Sequence, residues 1–260
     1  MLHSHFRTDF GRVSAAHYSC RDTILSKRFQ APGQDDGHLL EVKMAQSGAD
    51  REQAQDLINR MYDWRGYGSD HLVPHGEGHS TFLASLDKAL VGTITLGVDV
   101  GEGLAVDTIF HDELEVFREI PGARLCELTR FAFDVETPSR KLLASLFHVV
   151  FIYGTRHHCC THLFIEVNPR HRRFYEAMLG FQPAGSVRTN ESVHAPAQLM
   201  WLEVSDIAAL ISEQAGHNGG NSRSLYPLFL GRRDEHDIRS RLSHALVVPL
   251  RQDLALATQN

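Results

Sequence analysis

The chain has 260 residues, 42% apolar and 22% charged, the profile of a globular protein long enough to bury a substantial core. A net charge of −6 argues against general nucleic-acid binding. No apolar run approaches the ~18 residues that would span a bilayer, and the N-terminus lacks the pattern of a secretory signal.

The four cysteines, two of them adjacent at Cys159 and Cys160, do not form a disulfide framework, so a reducing cytoplasm is expected. The run His157-His-Cys-Cys-Thr-His162 has poor spacing for zinc, which takes paired ligands two to four residues apart. It reads instead as a helix end and strand entry, and no metal is expected.

In chain order, residues 1–37 carry little periodicity and end in the turn-rich Ala31-Pro-Gly-Gln-Asp-Asp-Gly37. They are expected to be an N-terminal arm, packed on the domain or partly disordered. His38 to Met44 reads as a strand. Asp50 is expected to cap a helix whose stripe is Ala54, Leu57, Ile58, Met61 and Trp64. A polar loop from Gly66 to Gly78 follows, long enough to suggest a lid on the substrate side. Ser80 to Val100 is a hairpin turning at Asp87-Lys88, and His111 to Glu119 is a short helix.

Arg124 to Asp134 reads as a strand. Thr137 and Pro138 then start a helix through Arg156, with a stripe of Leu142, Leu143, Leu146, Phe147, Val150 and Tyr153. The strand from His162 leads through Asn168-Pro169 into a helix that stops at Gly180. Ala184–Asn190 and Ala197–Val204 form a closing strand pair, and Ser205 caps a further helix. Residues 38–215 are taken as the domain, and 216–260 as a glycine-rich linker with a C-terminal extension holding one helix near Asp234–Leu246.

Strand, helix, strand, helix with short joints implies parallel pairing. The full order is similar to that of the GNAT acyltransferase superfamily, an α/β class with a mixed sheet. The resemblance implies that this sheet is splayed between the fourth and fifth strands and flanked by helices. More specifically, Glu127-Leu-Thr-Arg130-Phe-Ala-Phe-Asp134 resembles the Glu-x-Ser/Thr-Arg-Phe signature of autoinducer synthases and of the FeeM-like long-chain N-acyl amino acid synthases. The second group is the closer match. Val91 to Thr95, the Gly103-Leu104 turn, Glu166 to His171 and Ala195-Pro-Ala197 also resemble it, and coverage runs from about residue 40 to 204.

The resemblance implies transfer of a fatty acyl group from acyl carrier protein to the amine of an amino acid. Such attack on a thioester needs a neutral amine, a polarised carbonyl and a protonated leaving thiol. Glu127 is a candidate base and Glu166 a second one. Arg130 either joins the chemistry or binds the amino acid's carboxylate. Glu127 and Arg130, three apart, fall on opposite faces of a regular strand, so an ion pair between them needs a bulge. Tyr175 resembles the tyrosine with which superfamily members protonate the leaving thiolate. Asn168, His171 and Phe174 are candidate substrate contacts.

Phe131, Ala132, Phe133, Ser139, Arg140 and Lys141 are expected to line the donor's pantetheine arm. Coenzyme-A-dependent members carry an Arg/Gln-x-x-Gly-x-Gly/Ala loop after the fourth strand, whose amides cradle the pyrophosphate. Here Val135 to Lys141 has no glycine. This favours the single phosphate of acyl-phosphopantetheine on acyl carrier protein over acyl-coenzyme A, with no tightly bound cofactor. Arg140, Lys141, Arg170, Arg172 and Arg173 then offer a basic docking face for an acidic carrier, or are simply a solvated charge run. An acyl-homoserine-lactone synthase, an acetyl-CoA-dependent small-amine acetyltransferase and an inactive GNAT-like acyl- or protein-binding module are the alternatives.

Overall fold

The computed structural model describes residues 23–29, 37–134, 140–217 and 222–243. Most of the expected arm, the helix start at Thr137-Pro138, Ser139, residues 218–221 of the linker and everything beyond 243 lie outside the described residues.

One sheet of eight strands runs through the protein in the order β1-β2-β3-β4-β5-β6-β8-β7. The strands are β1 (Thr23–Phe29), β2 (His38–Met44), β3 (His79–Leu86), β4 (Ala89–Val98), β5 (Leu125–Phe133), β6 (His162–Val167), β7 (Gln182–Asn190) and β8 (Ala195–Glu203). Pairing is antiparallel throughout except between β5 and β6. Part of the segment expected as an arm is therefore the edge strand β1. The β3–β4 hairpin turns at Asp87 and Lys88, with φ of 49° and 73°. Two positive φ values in a two-residue turn match the right-handed twist of the flanking strands.

Helices cover both faces. On one lie α3 (Arg140–His157), α5 (Val204–Gln214) and a C-terminal helix, α6, over 232–243. Their apolar residues join Ile94, Leu96, Cys126 and Ile165 of the sheet in the largest core cluster. On the other lie α1 (Gly48–Asp63), packed through Ala54, Leu57, Ile58 and Met61, and α2 (Asp107–Arg118), packed through Phe110 and Leu114. The short helix α4 (Arg172–Leu179) follows a single 3-10 turn at Pro169–His171. It stops at Gly180, whose φ of 84° is the left-handed cap expected there.

Several local expectations need correction. Ser47, not Asp50, is the N-cap of α1. Ser47 Oγ accepts from Asp50 N, and Asp50 returns the bond to Ser47 N, a reciprocal capping box. Trp64 lies just beyond the helix and is 68% exposed, so the buried stripe ends at Met61. The second helix starts four residues earlier than His111, because Asp107 ties down its first turn. Ser205 does not cap α5; its hydroxyl donates to Glu203 at 2.8 Å.

The feature that matters most for function is where the sheet opens. The parallel pairing joins only Leu125, Cys126 and Glu127 to His162, Leu163 and Phe164. Beyond Glu127, among the described residues, the β6-facing edge of β5 has no strand beside it. This is the split expected between the fourth and fifth strands counted from His38.

Candidate active site

Glu127 is the last residue of β5 that pairs with β6, and it is 1% exposed. Its Oε1 accepts from Ala105 N at 2.8 Å and its Oε2 from Val106 N at 3.1 Å. Asp107 Oδ2 accepts from Leu104 N at 2.6 Å, and Arg118 grips the same Asp107 carboxylate through both terminal nitrogens at 2.6 and 2.7 Å. Three consecutive amides at the start of α2 are thus held by two carboxylates, which supplies partners that a helix start lacks. Burial is the main cause that pushes the Glu127 carboxyl up, against the two amide bonds, with Asp107 and Glu166 adding to the rise. Both oxygens face α2 and neither bonds Arg130.

Three residues on, the strand bulges. Thr95 pairs with Thr129 but Thr93 with Ala132, so β5 carries one extra residue there. Arg130 takes up the irregularity at φ 49°. Its carbonyl accepts from Thr93 Oγ1 at 3.0 Å, and its Nε donates to Leu72 O at 2.9 Å. The bulge does not pair Arg130 with Glu127. It sends the guanidinium towards the loop after α1, where its charge acts on the Tyr62 phenol.

Glu166, on the same face of β6 as Phe164, accepts from Asn190 Nδ2 at 2.6 Å. Burial raises its carboxyl above the ordinary range, against the Asn190 bond. Tyr62 lies near it at the end of α1. Burial raises the Tyr62 phenol most, Glu166 and Tyr67 add to the rise, and Arg130 and Arg65 oppose it. The Tyr62 ring meets His71 edge-on at 4.8 Å and Tyr67 at 6.2 Å. Tyr175 enters from α4, its ring against Phe174 at 5.2 Å and Phe181 at 6.1 Å. Burial holds its phenol well above the usual tyrosine range, with Tyr62 as a second cause.

The split thus gathers Glu127, Glu166, Arg130 and Tyr175, all singled out from sequence, into one neighbourhood. It adds Tyr62, Arg65, Tyr67, His71 and Asn190, which sequence reading missed. Tyr62 has a retrospective signal: it completes the helical spacing 58, 61, 62 ahead of the breaker at Gly66. The other predicted contacts are less available. Asn168 Oδ1 accepts from Arg170 N, capping its own turn. His171 is exposed, with Nε2 accepting from Arg170 Nε at 3.1 Å, while Arg170 Nη2 donates to Tyr67 Oη. Phe174 is 40% exposed at the rim.

Among the expected donor-arm residues, Phe131 packs on Phe147 with ring centroids 5.4 Å apart, Ala132 is buried under α1, and Phe133 covers Gly92. Lys141 is exposed at the start of α3. Arg140 Nη2, by contrast, donates to the carbonyls of Ser222, Arg223 and Ser224 at 2.8–3.0 Å. Arg140 therefore holds the C-terminal segment. Arg172 is paired with Glu176 at 2.6 Å.

Beneath the split, on the α3 face, lies a small apolar cavity of about 40 Å³, lined by Leu96, Cys126, Leu128, Phe147 and Leu163 among others. Polar groups thus crowd one face of the opening and apolar ones the other.

A mixed sheet opened at its parallel pair, with titratable groups at the opening, is the framework expected of an acyltransferase. The family model for the N-acyl amino acid synthase FeeM matches residues 53–203, and the chain belongs to that family. It is an N-acyltransferase. The solved structure of FeeM, an N-acyl amino acid synthase from uncultured soil microbes, is 29% identical with a TM-score of 0.60, covering 65% of this chain and 94% of that one. More distant are the AHL synthase LasI, 15% identical over 64% of this chain and 90% of that one with a TM-score of 0.48, and the CoA-dependent acyl-homoserine lactone synthase BjaI, 16% identical over 67% and 82% with a TM-score of 0.45. Comparison with curated protein sequences finds no match. Among the described residues no helix is long and apolar enough to cross a membrane.

Proposed function

We propose that the enzyme moves a long-chain fatty acyl group from acyl carrier protein to the α-amine of an amino acid, giving an N-acyl amino acid and free carrier. The observation that carries the reading is the two-sided opening between β5 and β6. A thioester carbonyl at the split can send its tail to the apolar cavity while the amine approaches from the face of Glu166, Tyr62 and Arg130. An amphiphilic product needs such a division.

In the reaction the C–N bond forms at the thioester carbonyl, the C–S bond breaks, and the proton lost by the amine balances the one gained by the thiolate. Glu166 is the better base. Its carboxyl has one hydrogen-bond donor, Asn190, and lies in a partly buried setting that raises its proton affinity, which suits a base working near neutrality. Glu127 positions the start of α2 instead. Arg130, whose two terminal nitrogens extend past the Leu72 bond, holds the substrate carboxylate. Tyr175 is a poor acid towards a thiolate. Even unperturbed phenol and thiol differ by ~1.5 units, or ~2 kcal/mol uphill, and burial widens the gap. Tyr175 therefore donates a hydrogen bond to the leaving sulfur, and the amine's proton completes the thiol.

Carrier protein rather than coenzyme A is favoured by the absence of glycine between Val135 and Lys141. The docking charge rests on Lys141 and Arg173, since Arg140 and Arg172 are engaged locally. The test is transfer by pure protein from palmitoyl carrier protein to each amino acid, followed by mass spectrometry. No N-acyl product with any amino acid overturns the reading; equal use of palmitoyl-coenzyme A overturns the carrier.

A further inference from the structure

The apolar cavity is not closed by the family's own residues alone. The match ends at 203, yet Tyr226 and Phe229 line the cavity. Both are almost completely buried. Tyr226 Oη donates to Leu179 O at 2.9 Å, which satisfies the phenol while its ring packs against Phe229 at 5.0 Å. Phe229 in turn stacks on His148 of α3 at 4.9 Å and 25°.

This segment is held from several sides. Leu225 N donates to Met178 O at 2.8 Å, and Leu230 N donates to His148 Nδ1 at 3.0 Å. The other ring nitrogen, Nε2, lies 3.3 Å from Glu235 Oε1 of α6. Arg140 collects the three carbonyls before Leu225, and Ile238 and Leu242 of α6 are fully buried. A surface appendage needs none of these anchors; a wall that must not yield does.

Another residue of the lining gives an independent sign that space is being kept. Gly154 lines the cavity from inside α3. Glycine within a helix is destabilising relative to alanine. Yet a Cβ here would meet Leu96 Cδ2 at 3.4 Å and Cys160 Sγ at 3.6 Å, ordinary contacts. Close approach does not demand glycine at this position.

We propose that Tyr226 and Phe229 are the floor of the acyl-chain site and set the length of chain the enzyme accepts. The inference rests on the reading that the donor's tail enters this cavity. Each methylene that finds apolar surface contributes about fourfold in affinity (~0.8 kcal/mol), and each one forced against a fixed wall loses at least that.

The test measures equilibrium binding of a series of saturated fatty acids to the full chain, alongside the chain-length profile of transfer. Phe229→Ala and the milder Phe229→Leu should move both optima to longer chains. A shift of two methylenes changes the long-to-parent ratio about fifteenfold. Tyr226→Phe, which keeps the ring, should leave the optimum in place. Gly154→Ala should favour shorter chains by about one methylene, or about fourfold. Unchanged profiles in both Phe229 variants, with melting temperatures showing them folded, overturn the floor. If Gly154→Ala shifts the profile and the Phe229 variants do not, the cavity reading survives and the floor falls. If binding shifts as stated but the wild type transfers no acyl group, the catalytic reading fails and the floor stands.

Discussion

Glu127→Gln separates positioning from chemistry at the centre of the family signature. Both carboxylate oxygens accept backbone amides, and the side chain is 1% exposed. Glutamine keeps one acceptor and turns an NH₂ donor towards the second amide. One backbone N–H and one side-chain NH₂ are then buried without partners, at ~1–3 kcal/mol each. Removing a carboxylate whose ionisation burial opposes offsets part of that. A net loss of ~2 kcal/mol corresponds to a fall of about 4–8 °C in Tm for a domain of this size. Thermal unfolding and the pH profile of kcat/KM are measured on the same variant. The expected result is a lower Tm and a lower kcat, because residues 105–106 loosen, with the acid limb of the profile still present. Loss of that limb at unchanged Tm would refute the positioning role and restore Glu127 as base.

Glu166→Gln should remove the acid limb and lower kcat by ~10²–10⁴; a variant with an unchanged limb rules Glu166 out. It should also alter pH-dependent stability. A carboxyl whose folded pKa is raised binds its proton more tightly folded than unfolded. Wild-type stability therefore falls as pH rises from the unfolded value through the raised one, and urea unfolding across that window should show a shallower fall in the variant. Arg130→Gly should hold or raise stability by up to ~1 kcal/mol, since glycine suits φ 49°, while raising KM for the amino acid by tenfold or more; an unchanged KM contradicts carboxylate binding. Lys141→Glu with Arg173→Glu should raise KM for the carrier in a salt-sensitive way and leave coenzyme A thioesters unaffected; equal effects on both donors count against docking.

Much of this was legible because local chemistry and global fold agree. The β3–β4 turn, the Gly180 stop and the strand from Leu125 follow directly from residue types and periodicity. The site was legible only as a list of residues. Glu127 reads as reactive in sequence, because an acidic residue in a strand next to Arg130 advertises nothing of the two amides that will occupy it. Those amides come from residues 105 and 106, brought across by α2. Tyr62 and His71 were hidden for the same reason: their part arises from packing of α1 and its loop over a split whose position depends on where β5 and β6 stop pairing. The partners of Arg140 were hidden because they are carbonyls, which carry no sequence signal at all.

The bulge at Arg130 joins these observations. A regular strand would project residues 127 and 130 to opposite faces. The extra residue instead lets β5 keep Leu128 towards the apolar cavity while Arg130 reaches the α1 loop through Leu72. The same irregularity falls beyond the last β5–β6 pair, so that β4 but not β6 has to follow the distortion. In the proposed reaction the inserted residue turns a cation to the acceptor face while Leu128 stays on the side of the apolar cavity. A backbone held at positive φ by a non-glycine residue is costly. In the proposed reaction the role of the Arg130 guanidinium offsets that cost.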